Sequence, residues 1–151
     1  MLSKNLFAVA ILALCAIAGT SLAPTVMADG PDIEATGTLK DTGVRHVTVD
    51  EAKSLVDAHS DIVILDVRTG REFKGGHVEG AVNMNYFSLG FGERVDALDK
   101  DKTYLLYCRS GNRSGKAARA LRKAGIDSIV HMDGGTNAWS QAGLPLVTEK
   151  E

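Results

Sequence analysis

Tyr104-Leu105-Leu106-Tyr107-Cys108-Arg109-Ser110-Gly111-Asn112-Arg113-Ser114 decides how this chain is read. An unbroken apolar and aromatic run leads into a cysteine, and polar residues bound it on both sides. That pattern suits a short buried strand. Beyond Ser114 the period changes. Ala117, Ala120, Leu121 and Ala124 recur at helical intervals, with Lys116, Arg119, Arg122 and Lys123 between them on the other face. Cys108 is therefore expected where a strand ends and a helix begins. Amide groups are unpaired at a helix start, and the helix dipole favours negative charge there. With Arg109 and Arg113 close after it, the cysteine has physical reason to ionise near neutral pH.

The loop carries further detail. If Cys108 through Arg113 curl around one point, several N–H groups converge into an anion-binding nest. Gly111 lets the backbone turn where a side chain would obstruct it, and Asn112 tolerates left-handed geometry. Arg109 and Arg113 add fixed charge in a planar fork suited to oxyanions.

Outward from this loop, strand and helix signals alternate. Val44-Arg45-His46-Val47 reads as a strand, and Thr48 with Glu51 forms a capping box ahead of an apolar stripe at Ala52, Leu55 and Val56. Ile62-Val63-Ile64-Leu65 has the continuous β-branched character of a strand buried on both faces. The glycine-rich stretch from Thr69 to Gly80 reads as turn and loop. Ala81 to Met84 is a brief strand candidate, and a helix holding Val95 and Leu98 is expected after Gly90 and Gly92. Gly125 is placed to stop the helix that follows the cysteine loop. Ser128 to Met132 forms the last strand, and Asp133-Gly134-Gly135 turns into a short helix with Ala138 and Trp139. Alternation of this kind implies parallel strands joined by right-handed crossovers, with ligands gathering beyond the carboxyl ends of the strands.

The first 28 residues read as a secretory signal. Lys4 precedes an apolar run from Leu6 to Ala18, and Val26-Met27-Ala28 offers a cleavage site before Asp29. The run is short of the roughly 20 residues a membrane span needs. The alternative is an uncleaved anchor. Residues 29–43 read as a flexible leader, residues 44–147 as the folded domain, and 148–151 as a polar tail. Export, to a periplasm after cleavage near Ala28, is the expectation, with no membrane span in the mature form.

A formal net charge of -2 offers no basic surplus for nucleic acid. Cys15 lies in the apolar leader, so cleavage leaves Cys108 without a disulfide partner. His46, His59, His77 and His131 are scattered without ligand spacing, and no Cys-x-x-Cys pair occurs. No metal and no cofactor are expected. Nothing demands more than a monomer.

The loop from Cys108 to Ser114 resembles the active-site loop of rhodanese-family sulfurtransferases. Asp66-Val67-Arg68, Glu72-Phe73, Gly76-His77-Val78 and Gly80-Ala81-Val82-Asn83 are similar to the family's upstream motif, and Asp133-Gly134-Gly135 with Trp139 to its downstream one. The resemblance implies an α/β, rhodanese-like three-layer fold: a central parallel sheet of about five strands with helices on both faces. It also implies a chemistry. Cys108 would take a sulfane sulfur from a small anionic donor such as thiosulfate and pass it, as a persulfide, to a thiophilic acceptor such as cyanide or a thiol. Arg109, Ser110, Gly111, Asn112, Arg113 and Ser114 would bind the donor. Asp66, Arg68, Glu72 and His77 are expected to tie loops together, and Trp139 to anchor packing.

Two other readings share these residues. A persulfide carrier or regulatory binding domain would serve one protein partner and turn over small acceptors poorly. Phosphatases and arsenate reductases related to rhodaneses place five residues between cysteine and arginine to enclose a tetrahedral oxyanion. Here only Arg109 to Asn112 separate Cys108 from Arg113, which favours sulfur.

Overall fold

β5 (Tyr104–Tyr107) runs through the middle of the sheet, and every one of its residues is buried. The computed structural model describes Thr38, Leu39 and residues 43–148. The expected signal segment and the polar tail lie outside the described residues, apart from Thr148. β5 pairs in parallel with β3 (Val63–Asp66) on one side and β6 (Ile129–Met132) on the other. β2 (Arg45–Val47) extends the sheet beyond β6, and β4 (Val82–Asn83) extends it beyond β3. These five strands are parallel, as expected.

A sixth strand, β1 (Thr38–Leu39), pairs antiparallel with β2 and lies inside the stretch read as a flexible leader. The physical reason is the open edge of β2, whose unpaired backbone groups accept a short partner. Its glycine-rich surroundings concealed it.

α3 (Phe91–Asp96) and α4 (Asn112–Lys123) pack together on one face, while α1 (Val49–Ala58) meets α5 (Gly135–Gln141) on the other. The alternation along β5 divides its side chains. Tyr104 and Leu106 join Leu65, Val67, Ala117, Ala118 and Leu121 in one cluster, and Cys108 follows them onto the same side. Burial of a leucine such as Leu106 or Leu121, both 0% exposed, stabilises the fold by about 1.5–3 kcal/mol.

Local signals fix the helix ends. The Thr48–Glu51 capping box forms as read. After α4, the Gly125 amide donates to the Arg122 carbonyl and the Ile126 amide to the Leu121 carbonyl, at 3.0 and 3.1 Å. This is a Schellman stop, and Gly125 holds the left-handed conformation it needs at φ +88°.

The Thr69–Gly80 segment departs from the reading as loop. Gly70–Lys74 forms a short helix, α2, whose N-terminus carries a second capping box between Thr69 and Glu72. The cap satisfies otherwise unpaired N–H groups strongly enough to start a helix on a glycine.

α5 begins against the cysteine loop. The amides of Thr136 and Asn137 donate to the carbonyls of Cys108 and Arg109 at 2.9 and 3.0 Å. This approach leaves no room at Gly135: a Cβ there would lie 2.1 Å from the Cys108 carbonyl oxygen, and φ is +58°. Gly135→Ala is expected to destabilise the fold by about 3 kcal/mol, since backbone must move. Gly80, at φ +76° with open space around its Cα, is the comparison, and Gly80→Ala should cost about 1 kcal/mol. Urea denaturation of both variants checks the difference; equal losses would show that the approach at Gly135 is not tight.

Candidate active site

The sulfur of Cys108 sits one residue past β5 and is almost wholly buried, at 1% exposure. The Gly111 amide donates to it at 3.1 Å, and the Ser114 hydroxyl stands 3.4 Å away. Burial alone would push the thiol pKa up. The Ser114 hydroxyl, together with the amides of Ser114, Ser110 and Gly111, outweighs that penalty and holds the thiol below its ordinary range. The nest expected from the sequence is present. Its left-handed residue is Gly111, at φ +95°, while Asn112 is already the first residue of α4. The helix therefore starts two residues earlier than the apolar spacing indicated.

The two loop arginines differ. Arg113 forks onto Glu72, with Nη1 and Nη2 each 2.7 Å from a carboxylate oxygen. Its guanidinium also lies 5.9 Å from the centre of the Phe87 ring. The Arg113 fork holds the Glu72 carboxyl well below its usual range, at about 2, against a smaller opposing effect of burial, with Thr69 adding hydrogen bonds. Glu72 thus does two things at once: it caps α2 and orients Arg113. Arg109 is exposed and, among the described residues, forms no ion pair. With Arg71, Glu72, Asn137 and Gln141 it lines an open cleft of about 410 Å³.

The upstream residues act as ties. Asp66, fully buried, accepts from the Arg68 amide at 2.9 Å and from its guanidinium, which also donates to the Gly76 carbonyl at 2.7 Å. Asn83 donates to the carbonyls of Asp66 and Arg68 at 3.1 and 2.9 Å. His77 stacks on Phe73 with centroids 3.7 Å apart, and its Nδ1 meets the Phe73 carbonyl at 3.0 Å. Trp139 is buried and donates to the Pro145 carbonyl at 2.8 Å. Each plays the structural part that its sequence context suggested.

One histidine was missed. Nε2 of His131 lies 2.8 Å from the Ser114 hydroxyl and 3.1 Å from the Gly111 carbonyl, so it is one hydroxyl away from the sulfur. Its Nδ1 lies 2.9 Å from Asp133 Oδ1. Burial and His46 hold His131 below the usual histidine range, against the pull of Asp133 and Gly111. Nothing in the sequence spacing joins position 131 to the cysteine loop; only strand order does.

Residues 48–142 match the model of the rhodanese-like domain. The chain belongs to the rhodanese-like domain family. A thiosulfate sulfurtransferase, GlpE of Shewanella oneidensis, is 33% identical over 98 residues, covering 65% of this chain and 94% of its own. An uncharacterized Synechocystis protein, slr1261, is 43% identical over 89 residues, which cover 59% of this chain. The match spans 49% of the length of that Synechocystis protein. Among solved structures, a rhodanese-related protein from Thermoplasma volcanium superposes with TM-score 0.61 at 28% identity, covering 69% of this chain and 98% of that one. Among the described residues, no helix is long and apolar enough to cross a membrane.

Removing the Ser114 hydroxyl should weaken the rhodanese-like cradle without dismantling it. Ser114→Ala is expected to raise the Cys108 pKa, because one hydrogen bond to the charged sulfur is lost. The pH dependence of iodoacetamide alkylation measures it. The pH giving half the maximal rate should move up; an unmoved midpoint would assign the thiolate to other groups.

Proposed function

We propose that the chain is a sulfurtransferase that accepts a sulfane sulfur on Cys108 from thiosulfate or a similar small anion. The carrying observation is the cradle itself: an amide at 3.1 Å and a hydroxyl at 3.4 Å from a buried sulfur whose pKa is lowered. A sulfur anion is the species such donors stabilise. The similarity to a thiosulfate sulfurtransferase supports the same donor.

In the first half-reaction the Cys108 thiolate attacks the outer sulfur of thiosulfate. A new S–S bond forms, the old one breaks, and sulfite leaves with the bonding electron pair. The terminal persulfide sulfur carries the negative charge, which the amides of the loop are placed to hold. In the second, cyanide or a thiolate attacks that terminal sulfur, and Cys108 recovers its electron pair. No proton has to be removed from Cys108 during attack if the thiol is already ionised.

Positive charge for the anionic donor comes mainly from Arg109 and Arg71, which are exposed at the cleft. Arg113, held by Glu72, contributes a fixed charge at the start of α4. The loop between Cys108 and Arg113 also supports sulfur over phosphate, because it is one residue shorter than a phosphate cradle of the related enzymes. Export of the mature domain, inferred from residues 1–28, would place this chemistry outside the cytoplasm; N-terminal sequencing of the mature protein should begin at Asp29, and an intact Met1 would refute cleavage in favour of the uncleaved anchor.

Thiocyanate formation from thiosulfate and cyanide tests the assignment. Cys108→Ser should fall to the uncatalysed background. Arg109→Gln should raise KM for thiosulfate severalfold with kcat little changed, the signature of lost ground-state binding. Arg113→Gln should lower turnover more than Lys123→Gln, which lies at the far end of α4. Thiocyanate production by Cys108→Ser would exclude this mechanism.

A further inference from the structure

We propose that His46, His131 and Asp133 form a binding site for a divalent cation of the zinc class beside the cysteine loop. The parallel register of β2 and β6 sets His46 directly opposite His131. Asp133 follows two residues later, where β6 turns toward α5. Three donor atoms meet there. His46 Nδ1 and His131 Nδ1 are 3.2 Å apart, and Asp133 Oδ1 lies 2.8 Å from the first and 2.9 Å from the second. An ion roughly 2.1 Å from each, the usual length for imidazole nitrogen and carboxylate oxygen, would see the three at near-right angles on one side. Two imidazoles and one carboxylate suit zinc and its neighbours rather than magnesium or calcium.

The hydrogen bonds of His131 accommodate a cation on its Nδ1. Its Nε2 lies 3.1 Å from the Gly111 carbonyl, which can only accept, so a ring hydrogen carried on Nε2 has a partner there. A neutral imidazole has one N–H, and Nδ1 then turns a lone pair toward Asp133 Oδ1 at 2.9 Å. Two electron-rich atoms at that distance repel unless positive charge lies beside them. A cation supplies it without charging the ring, and its ligand then donates Nε2–H to a backbone carbonyl, the usual outer-shell partner of a metal-bound histidine.

The site is reachable. The Asp133 side chain is 52% exposed, whereas those of His46 and His131 are 16% and 5% exposed. The remaining coordination positions therefore face the side where Asp133 meets water. The site also touches the chemistry. With Nε2–H shared between the Gly111 carbonyl at 3.1 Å and the Ser114 oxygen at 2.8 Å, Ser114 keeps its own hydrogen for the Cys108 sulfur.

The test uses the purified chain, stripped with chelator, in native form and as Cys108→Ser, so that the thiol cannot itself hold metal. Zinc is titrated by calorimetry and its stoichiometry read by native mass spectrometry; cobalt(II) is added separately for its visible absorption. The expected result is one zinc per chain, retained in Cys108→Ser, with micromolar or tighter affinity. Asp133→Asn and His46→Gln should each weaken zinc by at least the ~10- to 100-fold that loss of an outer-shell partner costs, and His59→Gln should not. Asp133→Asn alters an exposed side chain and carries the test if His46→Gln fails to fold. Absence of zinc binding to Cys108→Ser would overturn the proposal and leave the three residues as a hydrogen-bonded cluster. Binding unaffected by Asp133→Asn would overturn it equally. Sulfur transfer does not enter these readouts, so either outcome leaves the preceding reading standing.

Discussion

The carbonyl oxygens of Cys108 and Arg109 are held by the first free amides of α5, at 2.9 and 3.0 Å. Much of the site depends on that contact. A loop that turns its N–H groups inward around a sulfur must turn its carbonyls outward, and those carbonyls need donors. The start of a helix has donors to give. α5 supplies them, and Gly135 exists because any side chain there would strike the Cys108 carbonyl. Gly135 is thus as much part of the sulfur cradle as Gly111.

Charge is divided with similar economy. Burying Arg68 is tolerable because Asp66 and the Gly76 carbonyl satisfy it, and this tie braces the segment that leads to β4. Arg113 directs its fork to Glu72 and so is a fixed charge rather than a free ligand. Arg71 and Arg109 are left facing the cleft. The thiol is lowered mainly by neutral dipoles at short range. That arrangement suits a negative sulfur, and on the proposed chemistry it would do so before and after a second sulfur atom is gained, without a permanent ion pair to compete with an anionic donor.

What could be read from the sequence was local. The β5 run, the Thr48 capping box, the Gly125 stop and Trp139 each announce themselves within a few residues, and the structure contains them all. The cysteine and its turn were legible for the same reason. α2 was not, because its glycines outweighed a Thr69–Glu72 cap identical in type to the one recognised at Thr48. The helix start moved from Ser114 to Asn112 because Gly111, not Asn112, takes the left-handed position. The Glu72–Arg113 fork and the meeting of His46 with His131 join residues 41 and 85 positions apart. Neither follows from spacing; both follow once β2 is known to lie beside β6 and α2 near the cysteine loop.

Covalent carriage of sulfur by Cys108 within this cradle is the proposal on which the rest turns. The most direct measurement is the intact mass of the purified chain after incubation with thiosulfate. A gain of one sulfur atom, removed by cyanide and missing from Cys108→Ser, is the predicted result. An unchanged mass, or a gain that persists in Cys108→Ser, would contradict it.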